Sequence, residues 1–272
     1  MIAFLYTIIY VLVFATGAVM GSFLNVLIYR VPRGMDFVKG YSMCPNCEHR
    51  LYPKDLVPIF SYLFLGRKCR YCKEPISPRY MLIETLMGGL ALLSCFAFTK
   101  PTAFLSPGTA LPGSYAGIAA ATLCFAALFL LVAITFIDMD TMEIYDSMNL
   151  ALLVCGIAAI WLGPSVTLAS RFIGLFCVSV PLFAIAFFIG GAFGGGDVKL
   201  MAAAGFLLGW QCVLLALFIG IVLGGIYAIA MLAMKKLKKG DHFAFGPALC
   251  TGIAISMFAG DTIIKWYLGF LL

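Results

Sequence analysis

The chain has 272 residues, of which 63% are hydrophobic and only 11% charged, against about 25% charged in a soluble domain. That excludes a water-soluble globule for most of its length. The net charge of +6 is gathered into short basic stretches, which alone would suggest nucleic acid or anionic lipid but in a membrane protein read as topological, since short basic loops stay cytoplasmic.

In chain order, apolar windows of about 20 residues predict spans at 3–29, 81–98, 115–137, 147–163, 171–192, 198–210, 212–234 and 246–271. They should be helices, because lipid-exposed backbone must satisfy its own hydrogen bonds and no strand-period alternation runs through them. The first span lacks a basic leading region and a small-residue cleavage site, so it reads as retained, with its N-terminus outside. The sixth is short and interrupted by glycine, and is expected to form a broken or tightly turned pair with its neighbour.

Eight crossings from outside place 30–80, 138–146, 193–199 and 235–245 on one side. Ten of the eighteen Lys and Arg residues lie from Arg30 to Arg79, and Lys235, Lys236, Lys238 and Lys239 form a second cluster. Only Lys100, Arg171 and Lys265 fall elsewhere, so this side is expected to be cytoplasmic. The segments 99–114 and 163–170 read as outside turns. The expected fold class is an all-α polytopic membrane protein of about eight transmembrane helices. A small cytoplasmic zinc-ribbon-like insertion separates the first two, which divides the chain into 1–30, 31–80 and 81–272.

Residues 31–79 are too few for a strong apolar core and need a staple. Cys44-Pro-Asn-Cys47 and Cys69-Arg-Tyr-Cys72 supply it: two Cys-x-x-Cys pairs suit a tetrahedral zinc ion. A cytoplasmic location disfavours disulfides, and a redox dithiol is the lesser reading. Four thiolates on Zn²⁺ leave a charge of about −2, which Arg67, Lys68, Arg70 and Lys73 offset. The cysteines at 95, 124, 155, 177, 212 and 250 stand singly in apolar spans and read as small hydrophobes. His49 adjoins the cluster without being needed as a ligand, and His242 reads as solvated.

Acidic residues at span ends are functional candidates by default. Asp197 follows Gly194-Gly195-Gly196, with Gly190 and Gly191 before it. Such a run lets a backbone approach closely. At the other site Asp138, Asp140, Glu143 and Asp146 compete. Position favours Asp138, and Asp146 is expected to cap the next helix. Glu84, one turn inside its span, reads as an interfacial partner of Arg79 or as a group that recognises a charged substrate. Lys199 either snorkels to the surface or tunes Asp197. Two close carboxylates hold one proton between them and activate water, as in aspartyl proteases. A proton or cation relay in a transporter is the alternative, and a zinc-ribbon receptor without chemistry is a third.

The ordered motifs resemble the bacterial type IV prepilin peptidases, membrane aspartyl proteases of Gly-x-Gly-Asp type. The resemblance rests on Gly21-Ser22-Phe23-Leu24-Asn25-Val26 with Ile28-Tyr29-Arg30, the two Cys pairs, Asp55-Leu56-Val57-Pro58-Ile59 with Ser61-Tyr62-Leu63, and Ile76-Ser77-Pro78-Arg79-Tyr80 with Glu84. It continues through Phe136-Ile137-Asp138, Gly194-Gly195-Gly196-Asp197-Val198-Lys199 and Phe245-Gly246-Pro247. It implies that Asp138 and Asp197 are catalytic, and that Gly194, Gly196, Lys199 and Glu84 support the site or substrate. The implied activity removes a short basic leader from type IV prepilins or pseudopilins after a glycine, at the cytoplasmic face of the bacterial inner membrane. S-adenosylmethionine is then the implied donor for N-methylation of the new terminus. One departure is Tyr145, where the family carries proline, a residue that fixes φ.

Overall fold

A 29-residue apolar helix, α1 (Ile2–Arg30), opens the chain and packs along α3 (Pro78–Phe98). The contact is close because Gly21 faces the α3 backbone, where a Cβ would lie 2.8 Å from the Glu84 Cα. Small residues at such crossings let membrane helices touch backbone to backbone. The intervening segment has two 3₁₀ turns (Val31–Arg33 and Pro53–Asp55) and the short α2 (Phe60–Phe64). The buried Arg30 ties it to the end of α1, donating to the carbonyls of Asp36 and Tyr41, both at 2.8 Å.

The computed structural model describes residues 2–98, 113–162, 166–188, 194–235 and 243–270. Lys236, Lys238, Lys239, His242, Gly190, Gly191 and most of the turn 99–114 lie outside the described residues, as do 163–165 of the turn 163–170. Among the described residues there is no strand, only two isolated bridges. The chain divides into two compact units, Met1–Phe125 and Ala126–Leu272. The boundary falls inside the long helix α4 (Gly113–Thr141).

The second unit adds α5 (Asp146–Ala158), α6 (Leu168–Cys177), α7 (Ser179–Phe188), α8 (Gly195–Leu208), α9 (Trp210–Ala233) and α10 (Gly246–Gly269). One of its short helices does not lie at its edge. The 14-residue α8 contacts α5, α6, α7, α9 and α10, and buries Leu200, Met201, Ala203, Ala204 and Phe206. Arg171 of α6 is 2% exposed and donates to the carbonyls of Phe206 and Leu207 at 3.0 Å and of Gly156 at 3.4 Å. It thereby satisfies orphan acceptors at the C-terminal end of α8. The predicted span 171–192 appears as α6 and α7 with a break at Val178. Pro181 has no N–H to offer the Cys177 carbonyl four residues back, so the ladder is interrupted there.

Among the described residues, six helices are long and apolar enough to cross a membrane: Ala3–Arg33, Pro78–Phe98, Ala116–Thr141, Leu168–Phe188, Trp210–Ala233 and Gly246–Gly269. Large apolar side chains face outward along several of them, among them Phe188 at 82% and Ile229 at 68% exposure, as lipid-facing surfaces do. The chain is a multi-pass, all-helical membrane protein. Six such helices, or seven with the shorter Asp146–Leu162, stand against the expected count of about eight. Of the window 147–163, the described residues fall in the 13-residue α5 and a 3₁₀ turn (Ala159–Leu162), and 198–210 falls mostly in α8. At 1.5 Å per residue, α8 rises about 21 Å, short of a hydrocarbon core of about 30 Å.

Candidate active site and metal centre

Asp138 sits in the last turn of α4, with Thr141 closing that turn through its hydroxyl to the Ile137 carbonyl at 2.9 Å. A carboxylate there meets the negative end of its own helix, so helix stability does not explain its presence. It is 5% exposed, and its Oδ2 accepts the N–H of Gly246 at 2.9 Å, in the first turn of α10. The approach requires glycine: a Cβ on Gly246 would stand 2.6 Å from that oxygen.

Asp197 occupies the first turn of α8, where its Oδ2 accepts the Gly194 N–H at 3.2 Å. Each acid therefore rests on a helix N-terminus, where unsatisfied N–H groups and the macrodipole favour an anion. Both belong to the second unit, and their charges act on each other and on the buried thiol of Cys250. Gly196 packs on Ile144, and a Cβ would lie 2.8 Å from that residue's own Cβ. Gly194 and Gly196 thus have distinct positions, one as a donor to Asp197 and one as a close contact to the 138–146 loop.

The remaining acids of that loop separate from this pair. Asp146 does not cap α5. Tyr145 is the N-cap residue, with φ −75° and ψ 135°, and Asp146 falls in the first turn. Its carboxylate takes both hydrogen bonds of Lys199, each at 2.8 Å. Lys199 therefore ties α8 to α5. The φ of Tyr145 lies within the range proline imposes, so a proline would fit the backbone at this position.

Sequence reasoning gave no site role to Asn149 or Cys250. Asn149 is 5% exposed, donates to the Gly196 carbonyl at 3.4 Å, and leaves its Oδ1 without a partner. Gly246 carries no acid, base or ligand atom of its own to mark it. Its signal was Gly-Pro before an apolar run, which marks a helix start.

In the first unit, the thiols of Cys44, Cys47, Cys69 and Cys72 lie within 4.8 Å of one another, with Cys44 and Cys72 at 3.9 Å. A tetrahedral zinc–thiolate site with bonds of about 2.3 Å has S–S edges near 3.8 Å, so the donor set fits zinc. The two pairs are built alike. Cys44 N–H bonds to the His49 carbonyl and Cys69 N–H to that of Glu74. Glu48 and Lys73 return to the carbonyls of Cys44 and Cys69, each with φ near +60°. His49 gives its backbone and stacks its ring on Tyr71, centroids 3.7 Å apart.

Burial opposes ionisation of Cys69, yet the N–H groups of Cys72 and Tyr71 and the neighbouring thiols bring it down to about 7. Asp55 braces the second pair through Arg70 and the Tyr71 hydroxyl at 3.0 Å. Burial alone would raise its carboxyl, but these partners and the Tyr52 N–H hold it below the usual range. Glu84 accepts the N–H of Ile59 at 2.7 Å, a role not foreseen from its sequence position.

The family described as bacterial peptidase A24 N-terminal domain matches residues 15–98, and the type IV leader peptidase family matches residues 124–229. Similar proteins carry the name prepilin leader peptidase/N-methyltransferase. That of Aeromonas hydrophila is 33% identical over 94% of this chain and 93% of its own. That of Neisseria gonorrhoeae is 32% identical over 93% and 92%, and that of Bacillus subtilis (strain 168) 29% identical over 94% and 97%. No solved structure matches the chain.

Proposed function

Because the chain belongs to the type IV leader peptidase family, we propose that it removes the short basic leader of type IV prepilins or pseudopilins after a glycine and N-methylates the new terminus. The observation that carries the protease reading is the pair of acids, each on a helix N-terminus and each within the other's electrostatic reach. One carboxylate is ionised and takes a proton from water. The other is protonated and polarises the scissile carbonyl, and mutual repulsion keeps the two in opposite states. The resulting hydroxide adds to the carbonyl carbon, and the acid that gained the proton delivers it to the leaving amine.

The basic excess between Arg30 and Arg79 supports a cytoplasmic Cys segment in the inner membrane. The four cysteines would hold a structural zinc ion, and S-adenosylmethionine, when bound, would supply the methyl group. A transporter reading lacks support, since both acids lie at helix ends.

Co-expression with a prepilin tests this, scoring leader loss and the mass of one added methyl group. Asp138→Asn and Asp197→Asn should each lose cleavage, with Asp140→Asn retaining it. Cys44→Ser should lose methylation. Normal processing by Asp138→Asn would sink the assignment.

A further inference from the structure

The first unit holds a cavity of about 420 Å³ between α1, α3 and the Cys-bearing segment, within the range of about 300–1,000 Å³ typical of small-molecule sites. Ser22, Asn25 and Tyr29 of α1 line it, with Tyr80 and Glu84 of α3 and Tyr62 of α2. Glu84 is 8% exposed. Its oxygens receive the Ile59 N–H at 2.7 Å and the Ser22 hydroxyl, both neutral donors.

A buried carboxylate normally has a cationic partner. The two arginines on the cavity wall are committed elsewhere: Arg30 to the carbonyls of Asp36 and Tyr41, and Arg70 to Asp55. Two phenol rings on the wall, Tyr62 and Tyr80, add aromatic surface of the kind that attracts cations, while the Tyr29 ring already carries the Arg33 guanidinium 4.0 Å from its centroid.

A second observation marks the same place. Ile59, whose N–H Glu84 receives, has φ +65° and ψ −53°. For a β-branched residue this is a sparsely populated, strained conformation, and such strain clusters at ligand clamps. Glu84 holds that strained turn against the cavity, where a purely structural cap would sit as well on an unstrained one.

We propose that this cavity binds the methyl donor, an adenosyl sulfonium compound, with the Glu84 carboxylate facing its cationic centre. The inference rests on the N-methyltransferase reading and gives that activity a place in the first unit. The cavity supplies apolar and phenolic surface for an adenine ring, and Glu84 supplies a buried charge held only by neutral donors, whereas Glu74, the other acid on the wall outside the Asp55–Arg70 pair, is exposed.

Equilibrium binding to the full chain in lipid nanodiscs tests it with two unreactive probes. Sinefungin carries a positively charged amine where the sulfonium stands, and S-adenosylhomocysteine is a neutral thioether at that position. Glu84→Gln keeps an acceptor for Ile59 but removes the charge. It should weaken sinefungin at least about tenfold, the usual scale of a charge-assisted bond, and leave S-adenosylhomocysteine within about twofold. Ser61→Phe fills the cavity from α2 and should weaken both probes at least about tenfold. Zinc content and the melting temperature establish that each variant is folded, and Ser61→Phe carries the test if Glu84→Gln is not.

Equal loss of both probes in Glu84→Gln overturns the pairing of Glu84 with the cation. Undiminished binding by Ser61→Phe overturns the cavity as the site. If the unsubstituted chain binds neither probe yet still cleaves prepilin, the N-methyltransferase reading fails, and this proposal with it.

Discussion

The carboxylate of Asp138 accepts the N–H of Gly246 across 108 positions of sequence. That bond joins the end of α4 to the beginning of α10 and fixes which way the acid points. Gly246→Ala would place a methyl group 2.6 Å from the accepting oxygen, so the acid must swing away. Misplacement of about 1 Å costs on the order of 10² in rate, and prepilin cleavage should fall by at least that. Gly225→Ala, with no atom within 4 Å of the added carbon, should stay within about twofold in the same assay.

The Lys199–Asp146 pair joins α8 to α5 in an exposed setting, with side chains 58% and 72% accessible. Such pairs contribute about 0–1 kcal/mol. Lys199→Met should therefore slow cleavage less than about tenfold, far less than Asp197→Asn. The exchanged double variant Lys199→Asp with Asp146→Lys should recover part of the loss. Complete inactivation by Lys199→Met without such recovery would make the ammonium a chemical participant.

Removing zinc should open the segment between α1 and α3. Chelation is expected to expose the Arg50, Lys54, Arg67, Lys68, Arg70 and Lys73 peptide bonds to trypsin, and Cys69→Ser to do so without chelator. Asp55→Asn should weaken the same protection by about 1–3 kcal/mol, since it takes the charge from a buried hydrogen-bonded acceptor. The folded pKa of Asp55 is depressed. Its contribution is thus fully present above the unfolded value of about 3.9 and is lost as pH falls through the folded one, so assays at neutral pH read all of it.

Arg171→Met should destabilise the second unit by about 2–4 kcal/mol, because it strips the buried carbonyls of Phe206 and Leu207 of their donor. Thermal unfolding in detergent or nanodiscs measures this. Arg171→Lys, with a single ammonium and no planar fork, should recover only part of the difference.

Hydropathy made the long helices legible, because α1, α3, α4, α9 and α10 each carry enough apolar length to announce themselves. It failed at α8, whose burial comes from neighbouring helices rather than from its own length. The Cys spacing was sufficient for the donor set, but not for the matching backbone turns at Glu48 and Lys73, which share no residue type. Asp138 stood out by position. Its partner Gly246 did not, since a contact across 108 positions leaves no local pattern. Likewise the position of Asp146 at the head of α5 suggests a cap, whereas in the fold its carboxylate turns towards Lys199, 53 positions away.

Gly209, with φ +83°, is the sole residue between α8 and α9, and a Cβ there would strike the Ser170 hydroxyl at 2.6 Å. A helix of α8's length has too few apolar residues to partition out of the translocation channel by itself. Joined to the 24-residue α9 by one residue, it would leave the channel as the short arm of a hairpin. The second acid would then reach its place in the bilayer only after α9 has been synthesised.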